Sequence, residues 1–330
     1  MNRLSYLILF AFLVGVGVFL FREVPTTRFG EITPITAQEV RAAIIAYTDA
    51  HGANKMMEVF RESYSASHPN IQHNASHLLG EALYLALGSN GVSECTSEYN
   101  FGCYHGLFAK AIATEGLEVV KAFDVACANS DRVSACQHGL GHGILEYMSA
   151  KKLVDALNVC RDLTTPSGPL GGCASGVFME YNHPLVSEDG NQRIEVRPLE
   201  DEEFLYTPCE DVPSEFKAAC YHSLPQWWRQ VVTANDYARM AELCAVIPNQ
   251  SHQHACIAGL GSVIPPSLDY DVSSSIAACD TVPSELLRIQ CLESASGVFW
   301  GNINDVEGAQ EICEAMPDAD RTRCLNLIYE

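Results

Sequence analysis

Basic residues are scarce in this chain of 330 residues. It has 20 Lys and Arg residues against 41 Asp and Glu residues, which gives a formal net charge of −21. Proteins that bind nucleic acid neutralise its phosphates with Lys and Arg side chains, and a surface this acidic repels phosphate instead. We therefore expect no nucleic-acid partner. Because 48% of the residues are hydrophobic, the composition also excludes an intrinsically disordered chain.

Several common catalytic and binding motifs are absent as well. The sequence contains no G-x-S-x-G nucleophile motif, no H-E-x-x-H zinc motif, no phosphate-binding glycine-rich loop and no dinucleotide-binding fingerprint. No two cysteines have the C-x2-C or C-x4-C spacing that is typical of structural zinc sites. These absences exclude the enzyme classes that the motifs define, and they disfavour a zinc site built from cysteines.

A long apolar run is present at the N-terminus. Residues 4–21 carry no charge and are flanked by Arg3 and Arg22. A helix of this length spans about 27 Å, close to the ~30 Å hydrocarbon core of a bilayer. Because no A-x-A-like cleavage site follows, the pattern favours an uncleaved membrane anchor over a cleaved signal peptide, which stays the alternative. We predict the anchor or signal segment over residues 1–24, a tether over residues 25–36 and a repeat domain over residues 37–330.

Fourteen cysteines recur through the domain at a regular interval. Taken in chain order as seven pairs, the two members of a pair are 8 to 13 residues apart, and the second members of successive pairs are 33 to 47 residues apart. Other residues repeat with them. Cys209–Glu215 (CEDVPSE) returns as Cys279–Glu285 (CDTVPSE), and Gly139–Ile144 (GLGHGI) returns as Gly259–Ile264 (GLGSVI). A fixed period of this kind indicates a repeat protein.

Each unit of about 35 residues predicts two helices. Lys151–Cys160 has apolar residues at helical spacing and ends at the first cysteine of a pair. A polar turn follows, and the second cysteine begins the next helix. The sequence therefore predicts an all-α fold of about seven to eight helical hairpins, as an open α/α superhelix or a closed toroid.

The cysteines also predict the compartment. A disulfide within each pair would join the corner of a helical hairpin, whereas a bond such as Cys103 with Cys127, between neighbouring helices, is the alternative. Disulfides persist only in oxidising compartments. We therefore expect the domain on the extracytoplasmic side of a membrane that is spanned by residues 4–21.

One interval between repeats is longer than the others because it contains an acidic insert over residues 183–208. The insert has seven acidic residues against two arginines, which makes it too polar for a core helix. It predicts either a lid over a site or a solvated surface excursion, and the excursion is favoured.

Helix pairs that each carry one cysteine pair resemble cysteine-rich Sel1-like repeats, a branch of the tetratricopeptide class. The resemblance covers the rhythm of residues 95–330, with helix-end and helix-start cysteines such as Cys127 and Cys136. It implies an α/α scaffold, although the Gly-x-Gly-Val turn of Sel1 repeats is not reproduced. His138–Gly143 (HGLGHG) is also similar to the His-Gly-x-x-Gly turns of lanthionine-cyclase-type α/α toroids, whose zinc ligands do not carry over.

The pattern H-x3-H-x3-E occurs twice, and it is the strongest chemical signal in the sequence. Residues four apart share one face of a helix, so each copy presents two imidazoles and a carboxylate together. Such a set suits Zn, Fe, Mn or Cu. His105 lies two residues after the second cysteine of its pair, as His138 does. The predicted metal ligands are His73, His77, Glu81, His105, His138 and His142, and the predicted catalytic residues are Glu146 and Glu180.

The repeats contain a control for this prediction. Ala258 and Ser262 occupy the positions of His138 and His142 in an otherwise matching Gly-Leu-Gly frame. The fold therefore accepts small residues there, and packing does not require histidine.

Two hypotheses for the function follow. The first is a membrane-anchored metal-dependent enzyme or metal-binding protein, in which an open coordination position activates water or dioxygen. The second is a non-catalytic repeat scaffold that binds a protein or peptide partner on its concave surface. The duplicated histidine pattern favours the first hypothesis.

Overall fold

The computed structural model of the protein describes residues 37–329, apart from residues 167, 169, 171, 189 and 190. The predicted anchor and tether, over residues 1–24 and 25–36, lie outside the described residues. Within the described part of the chain, no helix is long and apolar enough to cross a membrane.

The described residues form fifteen α-helices and one two-stranded hairpin. The helices of the first half are α1 (Ala37–His51), α2 (Ala53–Tyr64), α3 (Pro69–Leu87), α4 (Gly102–Glu115), α5 (Val120–Cys127), α6 (Val133–Met148), α7 (Leu153–Arg161) and α8 (Gly172–Asn182). The hairpin of β1 (Leu185–Glu188) and β2 (Asn191–Ile194) follows. The remaining helices are α9 (Lys217–Val231), α10 (Tyr237–Ala245), α11 (Gln250–Ser267), α12 (Val272–Cys279), α13 (Glu285–Ile303), α14 (Val306–Glu314) and α15 (Asp318–Tyr329).

Longer helices form a continuous row, and shorter helices connect them. Helix α3 packs against α4, and the row continues through α6, α8, α9 and α11 to α13. The short helices α10, α12 and α14 each begin at an aspartate whose side chain accepts a hydrogen bond from the third backbone N–H after it, at Asp236, Asp271 and Asp305. Each N-cap satisfies a first-turn backbone donor that has no partner within its own helix.

All 14 cysteines form disulfides, and they pair in chain order. The alternative bond between Cys103 and Cys127 is therefore not formed, since these residues pair with Cys95 and Cys136. The Cα–Cα distances of 5.3 to 5.7 Å lie in the usual range for disulfides. From Cys244 onward each bond joins the end of a short helix to the longer helix that follows, as in Cys279 to Cys291. The cysteine-laced all-α fold that the sequence predicts is thus confirmed, and the seven disulfides indicate an oxidising, extracytoplasmic environment.

Glycines let neighbouring long helices touch backbone to backbone. A Cβ on Gly106 of α4 would lie 1.9 Å from the carbonyl oxygen of His77 on α3, and a Cβ on Gly176 of α8 would lie 1.9 Å from that of His138 on α6. Any larger side chain at these positions would push the two helices apart. The glycines therefore hold the histidine-bearing segments next to each other.

Gly176→Ala is expected to destabilise the fold by about 1–3 kcal/mol, because the new methyl group overlaps the backbone of α6. Gly297→Ala is the matched control, since Gly297 lies inside α13 and no atom outside its own stretch of helix lies within 4 Å of its added Cβ. There the substitution should stabilise the protein by about 0.5–1 kcal/mol through helix propensity. Urea unfolding of both variants measures the difference, and equal stabilities would contradict the close packing.

The acidic insert lies against α9. Its strands pair antiparallel, with Leu185 opposite Ile194. The backbone carbonyl of Arg197 accepts a hydrogen bond from Nε1 of Trp227, and the guanidinium of Arg197 lies 3.7 Å from the centre of that indole ring. Trp227 and Trp228 are fully buried. The pair of tryptophans therefore packs the insert onto the helices.

Contacts also join the early and late parts of the row. The guanidinium of Arg132, just before α6, lies 5.0 Å from the ring centre of Trp300 on α13. His68, at the start of α3, lies 3.4 Å from a carboxylate oxygen of Asp269. The exact number of hairpins and the choice between superhelix and toroid stay predictions.

Candidate metal centre

Five histidines from three neighbouring helices form one cluster. We call them the histidine cluster: His73 and His77 on α3, His105 on α4, and His138 and His142 on α6. The ring centroid of His105 lies 5.1 Å from that of His77 and 4.5 Å from that of His142. The structure thus brings together the five histidines that the sequence nominated.

The cluster contains two groups of three potential ligands that share His105. The first triad is His73, His77 and His105, and the second triad is His105, His138 and His142. In each triad one nitrogen per ring lies within 4.8 Å of the others. Three imidazole nitrogens at this separation can ligate a transition metal after small rotations of the rings.

The repeat register explains why the histidines meet. His105 and His138 both lie two residues after the second cysteine of a pair, so they occupy equivalent places on α4 and α6. His142 lies one turn after His138, and His77 lies one turn after His73. The glycine contacts described above then bring the three helices close enough for the rings to touch.

Groups outside the cluster hold three of the rings by their Nδ1 atoms. His73 Nδ1 lies 2.9 Å from the carbonyl oxygen of Tyr99, which can only accept, so Nδ1 carries the proton and Nε2 keeps its lone pair. His142 Nδ1 lies 3.0 Å from Glu180 Oε2, and His138 Nδ1 lies 3.2 Å from the Ser175 hydroxyl. Metal-ligating histidines are typically held in this way, with the second nitrogen bonded to a carbonyl or carboxylate.

Two buried nitrogens of the second triad have no hydrogen-bond partner among the described residues. They are Nε2 of His105 and Nε2 of His142. A buried polar atom without a partner costs about 1–3 kcal/mol, so native proteins rarely leave one unexplained. A metal ion between these rings would give both atoms a partner.

Distances in the first triad also match a metal site. The Nε2 atoms of His73 and His77 are 3.1 Å apart, and His77 Nε2 lies 3.3 Å from His105 Nδ1. Two nitrogens bound to a tetrahedral zinc ion at 2.0–2.1 Å are separated by about 3.3 Å. Hydrogen bonds between the rings would have similar lengths, but they would leave His105 Nε2 without a partner.

Burial keeps the cluster in its neutral, metal-binding form. Desolvation, reinforced by repulsion between the rings, lowers the pKa of His77 and His105 well below the usual range. Burial also lowers the pKa of His142 to about 3. The rings are therefore uncharged at neutral pH, and each keeps one nitrogen lone pair that a metal ion can bind without displacing a proton.

The three predicted glutamates occupy different environments. Glu81 is buried and accepts a 2.8 Å hydrogen bond from Arg41 on α1. Glu180 is buried beside His142 and also accepts a hydrogen bond from the backbone N–H of Leu185, and desolvation raises its pKa to about 7. The side chain of Glu146 is exposed. Partial desolvation by the surrounding protein, reinforced by the negative charges of Glu180 and Glu81, still raises the pKa of its carboxyl group to about 8.

These environments distinguish the roles that the residues can fill. The histidine triads contain neither Glu81 nor Glu146, so their assignments as ligand and catalytic residue stay predictions. Glu180 contacts a ring of the cluster directly, so it can fix the orientation of His142, and its assignment as a catalytic residue also stays a prediction.

Sequence reasoning missed two contributors to the site. Ser175, which holds His138, lies two residues after Cys173 and so has the same register as His105 and His138. The repeat alignment could have found it. The carbonyl of Tyr99, which holds His73, belongs to a backbone group that no side-chain pattern reveals.

Comparison with protein-family models, curated proteins and solved structures finds no match to this chain. The resemblance to Sel1-like repeats therefore stays at the level of architecture. The class that the fold and site define is an all-helical, disulfide-laced protein with candidate histidine metal sites.

Proposed function

We propose that the protein is a metal-dependent protein of an oxidising, extracytoplasmic compartment, held at a membrane by residues 4–21, and that the histidine cluster binds its metal. The observation that carries this proposal is the orientation of the rings. The Nδ1 atoms of His73, His138 and His142 are held by Tyr99, Ser175 and Glu180, and in each triad one nitrogen per ring lies within 4.8 Å of the others.

The donor set indicates the class of metal. Neutral imidazole nitrogens suit Zn, Cu and Fe, and Mn accepts them when carboxylates assist. Three histidine ligands leave the fourth tetrahedral position open for water or substrate, which is typical of catalytic rather than structural zinc sites. A bound ion would there act as a Lewis acid or lower the pKa of bound water. Glu146, one turn after His142, is the residue we propose for proton transfer there, and its raised pKa means that at neutral pH it begins as the proton donor.

The test is the metal content of the full chain, produced in an oxidising compartment and reconstituted with Zn, Cu, Fe or Mn. The parent should retain about one equivalent or more of one of these metals, because neutral imidazoles bind such ions tightly. A variant with His73→Ala, His77→Ala, His138→Ala and His142→Ser should retain almost none. The last two changes copy Ala258 and Ser262 of α11, so this part of the fold should stay intact.

Histidines outside the cluster provide the control. A variant with His51→Ala and His254→Ala should bind as much metal as the parent, since neither residue belongs to a triad. A parent that folds but holds no metal after reconstitution would contradict the proposal. It would favour the alternative function, a scaffold for a protein or peptide partner.

A further inference from the structure

A cavity of about 400 Å³ adjoins the histidine cluster, and we call it the polar cavity after the serine, asparagine, glutamine and histidine side chains in its wall. His105 and His138 form part of its wall, helices α8, α9, α11 and α13 contribute much of the rest, and Arg132 lines it from just before α6. A molecule inside it would therefore lie beside rings that belong to both triads. The cavity is the natural place for a substrate of the proposed metal centre.

Polar side chains and a larger share of apolar surface line this cavity, and no carboxylate among the described residues belongs to its wall. Its polar groups include the hydroxyls of Ser175 and Ser223 and the amides of Gln226 and Asn302. The chain as a whole has 41 Asp and Glu residues, so the wall of this cavity is less acidic than the rest of the protein. An anionic molecule would meet hydrogen-bond donors here without the repulsion that the rest of the protein exerts.

Arg132 lies between this cavity and a neighbouring one, whose wall also includes Trp300, Gly301 and the carboxylates of Glu98 and Asp269, so its positive charge is shared by the two. Its guanidinium stacks on Trp300, and a Cβ on Gly301 would lie only 2.6 Å from Nη1, so the group rests on the backbone of α13. Among the described residues, no carboxylate lies within ion-pair distance of Arg132 and none of them accepts a hydrogen bond from it. Arg161 and Arg288, by contrast, each form an ion pair.

We propose that the polar cavity binds an oxyanion group of the substrate, a carboxylate or a phosphate, on the guanidinium of Arg132. A planar guanidinium binds either group through paired hydrogen bonds. The serine hydroxyls and amides hold the polar remainder of the molecule, next to the wall that His105 and His138 form. This inference rests on the proposed function, because it takes the cavity as the substrate site of the metal centre.

The test is calorimetric titration of the full chain with inorganic phosphate and with acetate, at constant ionic strength and with metal removed by a chelator. The parent should bind at least one of the two ions with a dissociation constant of about 1 mM. Arg132→Gln should weaken this binding at least about tenfold, whereas Arg132→Lys, which keeps the charge but loses the paired geometry, should weaken it less. Preference for phosphate would indicate a phosphate ester as substrate, and preference for acetate a carboxylic acid.

Arg161→Gln is the control, because Arg161 is paired with Glu215 and does not line the polar cavity. It should bind the ions as the parent does. Equal binding by Arg132→Gln and the parent, or binding of neither ion by a folded parent, would overturn the inference. Metal content is measured on each variant before the chelator is added, so loss of anion binding by a variant that binds metal normally is distinguished from failure of the metal site itself.

Discussion

Replacing His105 by alanine is expected to abolish metal binding, whereas removing one outer pair should not. His105 belongs to both triads, so His105→Ala leaves two isolated histidine pairs. The double variant His138→Ala with His142→Ser keeps the first triad complete and should still retain metal. Because chelation by two imidazoles is much weaker than by three, we expect a loss of affinity of about a hundredfold or more for His105→Ala. Metal analysis by mass spectrometry after dialysis measures the metal retained by the two variants.

His222→Ala is the matched control for this prediction. His222 lies two residues after Cys220, the same register that His105 has after Cys103, and it also lines the polar cavity. It belongs to neither triad. Metal binding that is lost equally in the two variants, or kept by His105→Ala, would show that the shared ring is not a ligand.

Reduction of the disulfides is expected to unfold the domain. The short helices α5 and α12 have eight residues each, too few for a stable isolated helix. Each disulfide closes a loop of 8 to 13 residues and stabilises the fold by about 2–4 kcal/mol. Several such contributions equal the whole free energy of unfolding of a typical domain, about 5–15 kcal/mol. Circular dichroism of the reduced and alkylated chain should therefore show most of the helical signal lost at 25 °C.

Removal of one terminal disulfide is the control for reduction of all seven. Cys313→Ser with Cys324→Ser removes only the bond between α14 and α15, so the remainder of the row should stay folded. A reduced and alkylated chain that keeps its helical signal and melts cooperatively would show that helix packing alone holds the fold.

The cysteine register made most of the fold predictable. Because one cysteine ends a short helix and the next begins a long one, as at Cys127 and Cys136, the period of the cysteines gives the period of the helices. The small β-hairpin in the acidic insert was not predicted. Polar residues such as Glu188 and Asn191 have no helical periodicity, and backbone pairing between two short strands leaves little trace in sequence.

The candidate site could be predicted only in part. The i, i+4 spacing places His138 beside His142, but the meeting of α3, α4 and α6 depends on contacts between helices. The role of Glu180 is decided by its approach to His142 across two helices, which spacing along the chain cannot show. The sequence did not predict a role for Arg132, because its position depends on a contact with Trp300, which is far away in the chain.

The most direct test of the central claim is anomalous diffraction from a crystal of the metal-loaded protein, recorded at the absorption edge of the bound metal. The structure predicts a peak within the histidine cluster, about 2.0–2.1 Å from a ring nitrogen of His105, with two further ring nitrogens at the same distance. A metal peak located only elsewhere on the protein, with the five rings in contact only with one another, would contradict it.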